Sequence, residues 1–170
     1  MLINGIAGAV VGLLATALLY TLHFVGVLKT PLGSQLLFLT LAFHITGLIA
    51  ALGLHRHRAK ADGGASFAML FGAGLMVSLI AGVVLAFGTH LFVTVVEPGH
   101  LDWLKQSSLE RMAESEMPAE EQALHREQIE QLTPMSYSVQ TLTSTLIAGF
   151  FLTITLAAFL RMRVLRSAPS

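Results

Sequence analysis

Four long apolar runs limit what this chain can fold into. They cover residues 3–28, 35–54, 66–96 and 139–160. Each supplies the ~20 helical residues needed to cross a hydrocarbon core. A strand reading would require two-residue alternation of apolar and polar side chains, and none of the runs shows it. A soluble bundle would require polar faces, which the runs also lack. Composition agrees: 54% of residues are hydrophobic, charged residues make up 12%, and the mean hydropathy is +0.72. Soluble domains carry roughly 25% charged residues. The expected fold is therefore all-α: a polytopic membrane protein, one domain over 1–170, with four transmembrane helices. The opening MLINGIAG has no positive side chain, so the first run reads as a retained helix rather than a signal peptide.

The net charge of zero conceals a segregation. HRHRAK carries Arg56, Arg58 and Lys60, with Asp62 close behind, and RMRVLR carries Arg161, Arg163 and Arg166. The first connection has only Lys29, whereas the segment 97–134 holds nine acids and three bases. Short basic segments stay on the cytoplasmic side. Four spans put both termini on one face, so the expected topology has cytoplasmic termini in a bacterial inner membrane. The acidic insertion at 97–134 is then outside.

That insertion reads as two short helices. LDWLKQSSLERMAE has an apolar cluster of Leu101, Trp103 and Leu104, and AEEQALHREQIEQL follows Pro118. Pro134 is expected to end the second helix. Trp103 suits the membrane interface, where one ring edge is wet and the other apolar. The insertion is open to three readings: a solvated cap, a partner-docking surface, or a metal trap built from its acids. No tight ligand spacing favours the last.

Three stretches, GGASFAMLFGAGLMVSLIAGVV, FVTVVEPGHL and EQALHREQIEQLTP, together resemble the bacterial membrane family called domain of unknown function 4199. The resemblance covers most of the chain. It implies four spans with a long, charged, helical segment between the last two, a glycine-rich entry at Gly63 and Gly64 before Ser66 and Phe67, and a proline, here Pro98, at the exit of the third span. It implies no catalytic residue.

The third run contains a ladder of small residues, Gly74, Ser78, Gly82 and Ala86, continued by His90 at the same four-residue interval. Positions four apart share a helix face. Small side chains let a second backbone approach, which is how helices gain contact inside lipid. The other spans repeat the theme: Gly8, Gly12 and Thr16; Thr40, His44, Gly47 and Ala51; Thr141, Thr145, Gly149, Thr153 and Ala157. A compact four-helix bundle follows, with Leu79, Leu85 and Phe87 turned to lipid.

His23, His44 and His90 lie within the first three runs. Histidine in lipid is costly unless neutral and paired, so all three should point inward, with Tyr20, Thr40 and Ser144 as candidate partners and an axial spread of the order of ten ångströms. Four readings compete. They can be neutral imidazoles bonded for the fold, or steps on a proton or ion path. His44 and His90 can be the axial pair of a haem b. His23, His44 and His90 can hold a zinc ion with one open position. No acid or base accompanies them within the spans, which disfavours a pump. His90 in particular is expected to be buried and hydrogen-bonded. His55 and His57 are assigned to lipid headgroups, and His100 and His125 to solvent.

There is no cysteine, so thiolate metal sites, disulfides and cysteine nucleophiles are excluded. Phosphate loops, HExxH and GxSxG are missing too. HRHRAK is too short and too close to lipid to bind nucleic acid. The sequence thus favours a small accessory or scaffold protein of the inner membrane, without catalysis or a cofactor. Its partners would be lipid and a membrane protein or a second copy. Gly74, Ser78, Gly82, Ala86, His90 and Trp103 would carry packing and interaction. Transport through the buried histidines, and haem or zinc binding, are the alternatives.

Overall fold

The computed structural model describes residues 2–59, 64–115 and 117–166. Side chains are placed except at Ser34, Ala119 and 162–166. Lys60, Asp62, Gly63 and the chain from Ser167 lie outside the described residues, as do the side chains of Arg163 and Arg166. Among the described residues there is no strand. The helices are α1 (Leu2–Phe24), α2 (Pro31–Leu37), α3 (Leu39–Arg58), α4 (Phe67–Leu91), α5 (His100–Ala113), α6 (Ala119–Glu130) and α7 (Pro134–Arg166). Four stretches are long and apolar enough to span a membrane: Leu2–Phe24, Pro31–Arg58, Phe67–Val96 and Pro134–Arg161. The chain is a multi-pass, all-α membrane protein.

Local chemistry explains the boundaries. Thr30 caps α2, its hydroxyl accepting from Gly33 N at 3.2 Å, and Pro31 takes the first turn, where its missing N–H costs nothing. α2 and α3 meet at Phe38, so the second apolar run is a broken span. Ser66 caps α4 by accepting from Met69 N at 3.2 Å. At its far end α4 widens into a π turn, Phe92–Val96, closed by Glu97 N donating to Phe92 O at 2.8 Å. Pro98 stops the helix there, since the residue before a proline is pushed out of helical conformation. Pro134 starts a helix instead of ending one: α6 stops at Glu130, and Pro134 opens α7.

α4 is the central element, packing against α1, α3 and α7. Its small-residue ladder faces α7. Gly74 lies against Thr153, and Gly82 lies against Leu142 and Thr145. Gly149 of α7 lies against Ser78 in return. A Cβ at Gly74 or Gly149 would overlap those side chains, so glycine is required for the backbones to come this close. A second stripe of α4 faces α1: Gly8 meets Val77 and Ile80, Gly12 meets Ala81 and Val84, and Gly88 meets Thr16. Large apolar side chains such as Leu13, Leu79, Phe87, Ile147 and Phe151 point outward, as lipid requires. Leu85, expected among them, lies half-buried beside a pocket.

One end of the bundle holds the start of α1, the end of α7 and the turn between α3 and α4; it is called the termini end below. The opposite, hairpin end carries α5 and α6. Leu101 of α5 is buried there among Leu19, Leu22, Leu28, Phe92 and Val93, with Leu104 and Leu132 packed on the same cluster. Lys105 Nζ donates to Glu130 O at 3.1 Å and closes the hairpin's base. Farther out, α6 packs chiefly on α5.

Candidate functional site

The hairpin end gathers more chemistry than any other described part of the chain. Phe92, where the π turn begins, is fully buried, and Glu97 leaves the helix beside the first connection. Glu97 there meets two partners, one of them a cation. Its Oε2 lies 3.4 Å from His23 Nδ1, and its Oε1 accepts from Lys29 Nζ at 3.5 Å. Lys29 Nζ also sits 5.9 Å from the centre of the Trp103 ring, within reach of a cation–π attraction. His23, Gly26, Leu28, Lys29 and Glu97 line a pocket of about 200 Å³.

Behind this charged rim stands an aromatic cage. Phe92 meets His23 edge-on at 5.2 Å and His100 at 5.1 Å, and it meets Tyr20 at 5.5 Å. His100 also contacts Trp103 at 5.5 Å and Tyr137 at 6.5 Å. Only 4% of His100 is exposed, and its Nδ1 is buried without a hydrogen-bond partner. Burial pushes the His100 pKa down to about 4; the Lys29 cation lowers it, the Glu97 carboxylate works against this, and His23 lowers it further. His100 is therefore neutral at pH 7.

This corrects the expectation that His100 is solvated. The turn at Pro98 and Gly99 folds the first residue of α5 back over Phe92. A signal was present in the sequence: His100 precedes Trp103 and Leu104 by three and four residues, which places it on their apolar face. His125 is exposed, as expected.

A second polar arrangement lies deeper. His44 of α3 is 6% exposed, and its Nε2 is 2.9 Å from Ser78 Oγ, which donates to Gly74 O at 3.0 Å. His44 is thus paired with the α4 ladder, not with Tyr20, Thr40 or Ser144. Tyr20 donates to Gly88 O at 3.0 Å and Thr40 to Leu37 O at 2.7 Å. His90 is half-buried rather than buried, with Ser138 Oγ 3.3 Å from its Nδ1. Ala86 and His90 face Ser138, Val139 and Leu142 across a pocket open to the side. At the termini end, His55 is not free for headgroups. Its Nε2 donates to Asn4 Oδ1 at 2.7 Å and ties α3 to the start of α1.

The structure does not bring His23, His44 and His90 together. Ser78, at the level of His44, and His90 stand twelve residues apart on α4, ~18 Å at the helical rise. His23 lies beyond His90, at Glu97. The axial spread is larger than the ten ångströms expected, and neither one haem iron nor one zinc can be reached by such a set, since zinc holds nitrogen at ~2 Å. Among the described residues no three His, Asp or Glu side chains are grouped to hold a metal ion.

No curated protein and no solved structure matches the chain. The profile of one family does, the family described as Protein of unknown function (DUF4199), and the match runs over residues 3–162. Four membrane-spanning helices and a match over nearly the whole length lead to one conclusion: the chain belongs to the DUF4199 family.

Proposed function

We propose that this protein is an accessory or scaffold component of a bacterial inner membrane, docking to another membrane component through its acidic hairpin and catalysing no reaction. One observation carries the reading: α5 and α6 are anchored at their base and pack chiefly on each other beyond it. The far part of the hairpin therefore presents Glu110, Glu114, Glu120, Glu121 and Glu127 to its surroundings while contributing little to the bundle's own core. An ordered connection of this length calls for a use beyond linkage. Its charge fits a partner with a basic surface. Arg56, Arg58 and Arg161 at the termini end support cytoplasmic termini, with the hairpin on the opposite side.

The experiment replaces residues 106–129 with a short Gly/Ser linker and keeps Leu101, Trp103 and Leu104 in place. Purification from mild detergent should recover one recurring membrane component with the parent and lose it with the variant, while the spans stay folded. Recovery at full yield from the variant would remove the hairpin from consideration as the docking surface. Ser115→Cys should react with an impermeant thiol reagent added outside intact cells; protection of that thiol would reverse the topology.

A further inference from the structure

α3 and α7 meet near the termini end and part toward the hairpin end. Leu48, Ala51 and Leu52 of α3 pack with Leu152, Leu156 and Ala157 of α7. Above them His44 closes on Gly149. From there outward a pocket of about 200 Å³ opens between the helices, with α1 and α4 as its floor. His44, Thr40, Ser144 and Thr145 supply its polar atoms, and its other walls are apolar.

The hydrogen bonds determine what this pocket offers. Ser78 has a single hydroxyl hydrogen, and Gly74 O can only accept. With that hydrogen given to Gly74 O, His44 must donate to Ser78 Oγ from Nε2. Its Nδ1 is then the bare nitrogen, a hydrogen-bond acceptor with no partner among the described residues. Thr40 and Thr145 have spent their hydrogens on Leu37 O and Thr141 O, at 2.7 and 2.8 Å, so their oxygens can only accept as well. Ser144 retains the one uncommitted hydroxyl hydrogen in the lining. A lipid tail would leave Nδ1 unsatisfied in hydrocarbon, which is costly for a buried acceptor. An anion would meet acceptors and no cation, and a metal ion would meet one nitrogen and no carboxylate. A cavity of ~150 Å³ already accommodates benzene, so a single ring fits.

We propose that this pocket binds a neutral, membrane-soluble molecule of single-ring size bearing a hydroxyl group, which donates to His44 Nδ1 and accepts from Ser144. Its apolar part lies against Val11, Leu41 and Leu85. The ligand enters from the bilayer through the gap between α3 and α7, so no opening to water is required. The site is independent of the hairpin and of the docking role.

The test uses the full chain in lipid nanodiscs, with fluorine NMR and empty nanodiscs as the background. The probes are 4-fluorophenol and 4-fluorotoluene, which differ only in hydroxyl against methyl. The phenol should bind saturably, one per chain, and about tenfold more tightly than the toluene, the factor set by one buried hydrogen bond. Ala148→Phe fills the pocket and should abolish saturable binding. Ser144→Ala should weaken it severalfold with the fold intact. Three results would overturn the proposal: equal affinity for the two probes, partition without saturation, or undiminished phenol binding in Ala148→Phe. Should Ala148→Phe fail to fold, the comparison of probes on the parent and on Ser144→Ala still decides the matter.

Discussion

At the termini end the bundle is closed by Leu48, Leu52, Leu70, Val77 and Ala157, each with at most 1% exposure. At the hairpin end Phe92, large, aromatic and fully buried, is ringed by His23, His100 and Tyr20, with Glu97 and Lys29 at the rim. The first region is held by the close fit of small and aliphatic side chains, the form of attraction available when lipid is as apolar as the core. The second sits at the boundary with water, where buried aromatic surface adds a solvent-driven term and charges remain hydrated. Shape governs one end; shape, charge and protonation together govern the other.

The strongest way to break this comparison is to spoil the fit where α4 and α7 touch. Gly149→Val forces a side chain onto Ser78 and the His44 contact. Overpacking of this kind costs about 3 kcal/mol. Thermal unfolding in detergent reads it. An unchanged midpoint would show that the helix contact is looser than described.

The next largest effect belongs to the other end and depends on pH. His100 has its pKa lowered to about 4, whereas an unfolded histidine titrates near 6.5. Between those values the unfolded form binds more protons, so stability falls as pH drops from 6.5 toward 4. It is fully present above 6.5 and levels off below 4. The loss is on the order of 3 kcal/mol. Trp103, the only tryptophan, touches the ring and reports the release of α5 by its fluorescence. His100→Phe should flatten the profile over that window. A profile in the variant as steep as the parent's would assign the titration to another group.

The smallest effect sharpens the distinction between cage and rim. Glu97→Gln removes the anion that His23 and Lys29 share, at the cost of less than ~1 kcal/mol, because the groups are partly exposed. The difference between parent and variant should vanish at 1 M salt. A loss exceeding that of His100 protonation would place the rim, not the cage, in charge of the hairpin.

Hydrophobic run length, small-residue spacing and charge counts are local properties of the chain, and they sufficed for four spans, for the face of α4 that meets α7, and for an acidic helical pair between the last two helices. Helix periodicity assigns a face because the turn angle is constant. It does not say which neighbour covers that face, nor how far a turn folds back. His44 could be read as inward, but its bond to Ser78 depends on the tilt of α3 across α4. Counted along separate spans, His23, His44 and His90 fall within an axial spread of the order of ten ångströms; the assembled bundle sets them farther apart. His100 is assigned to solvent from the sequence, but the path of the turn at Pro98 and Gly99 decides whether its ring meets water or Phe92. Contacts between residues distant in sequence arise from packing, to which every helix contributes at once. No single stretch of the chain contains them.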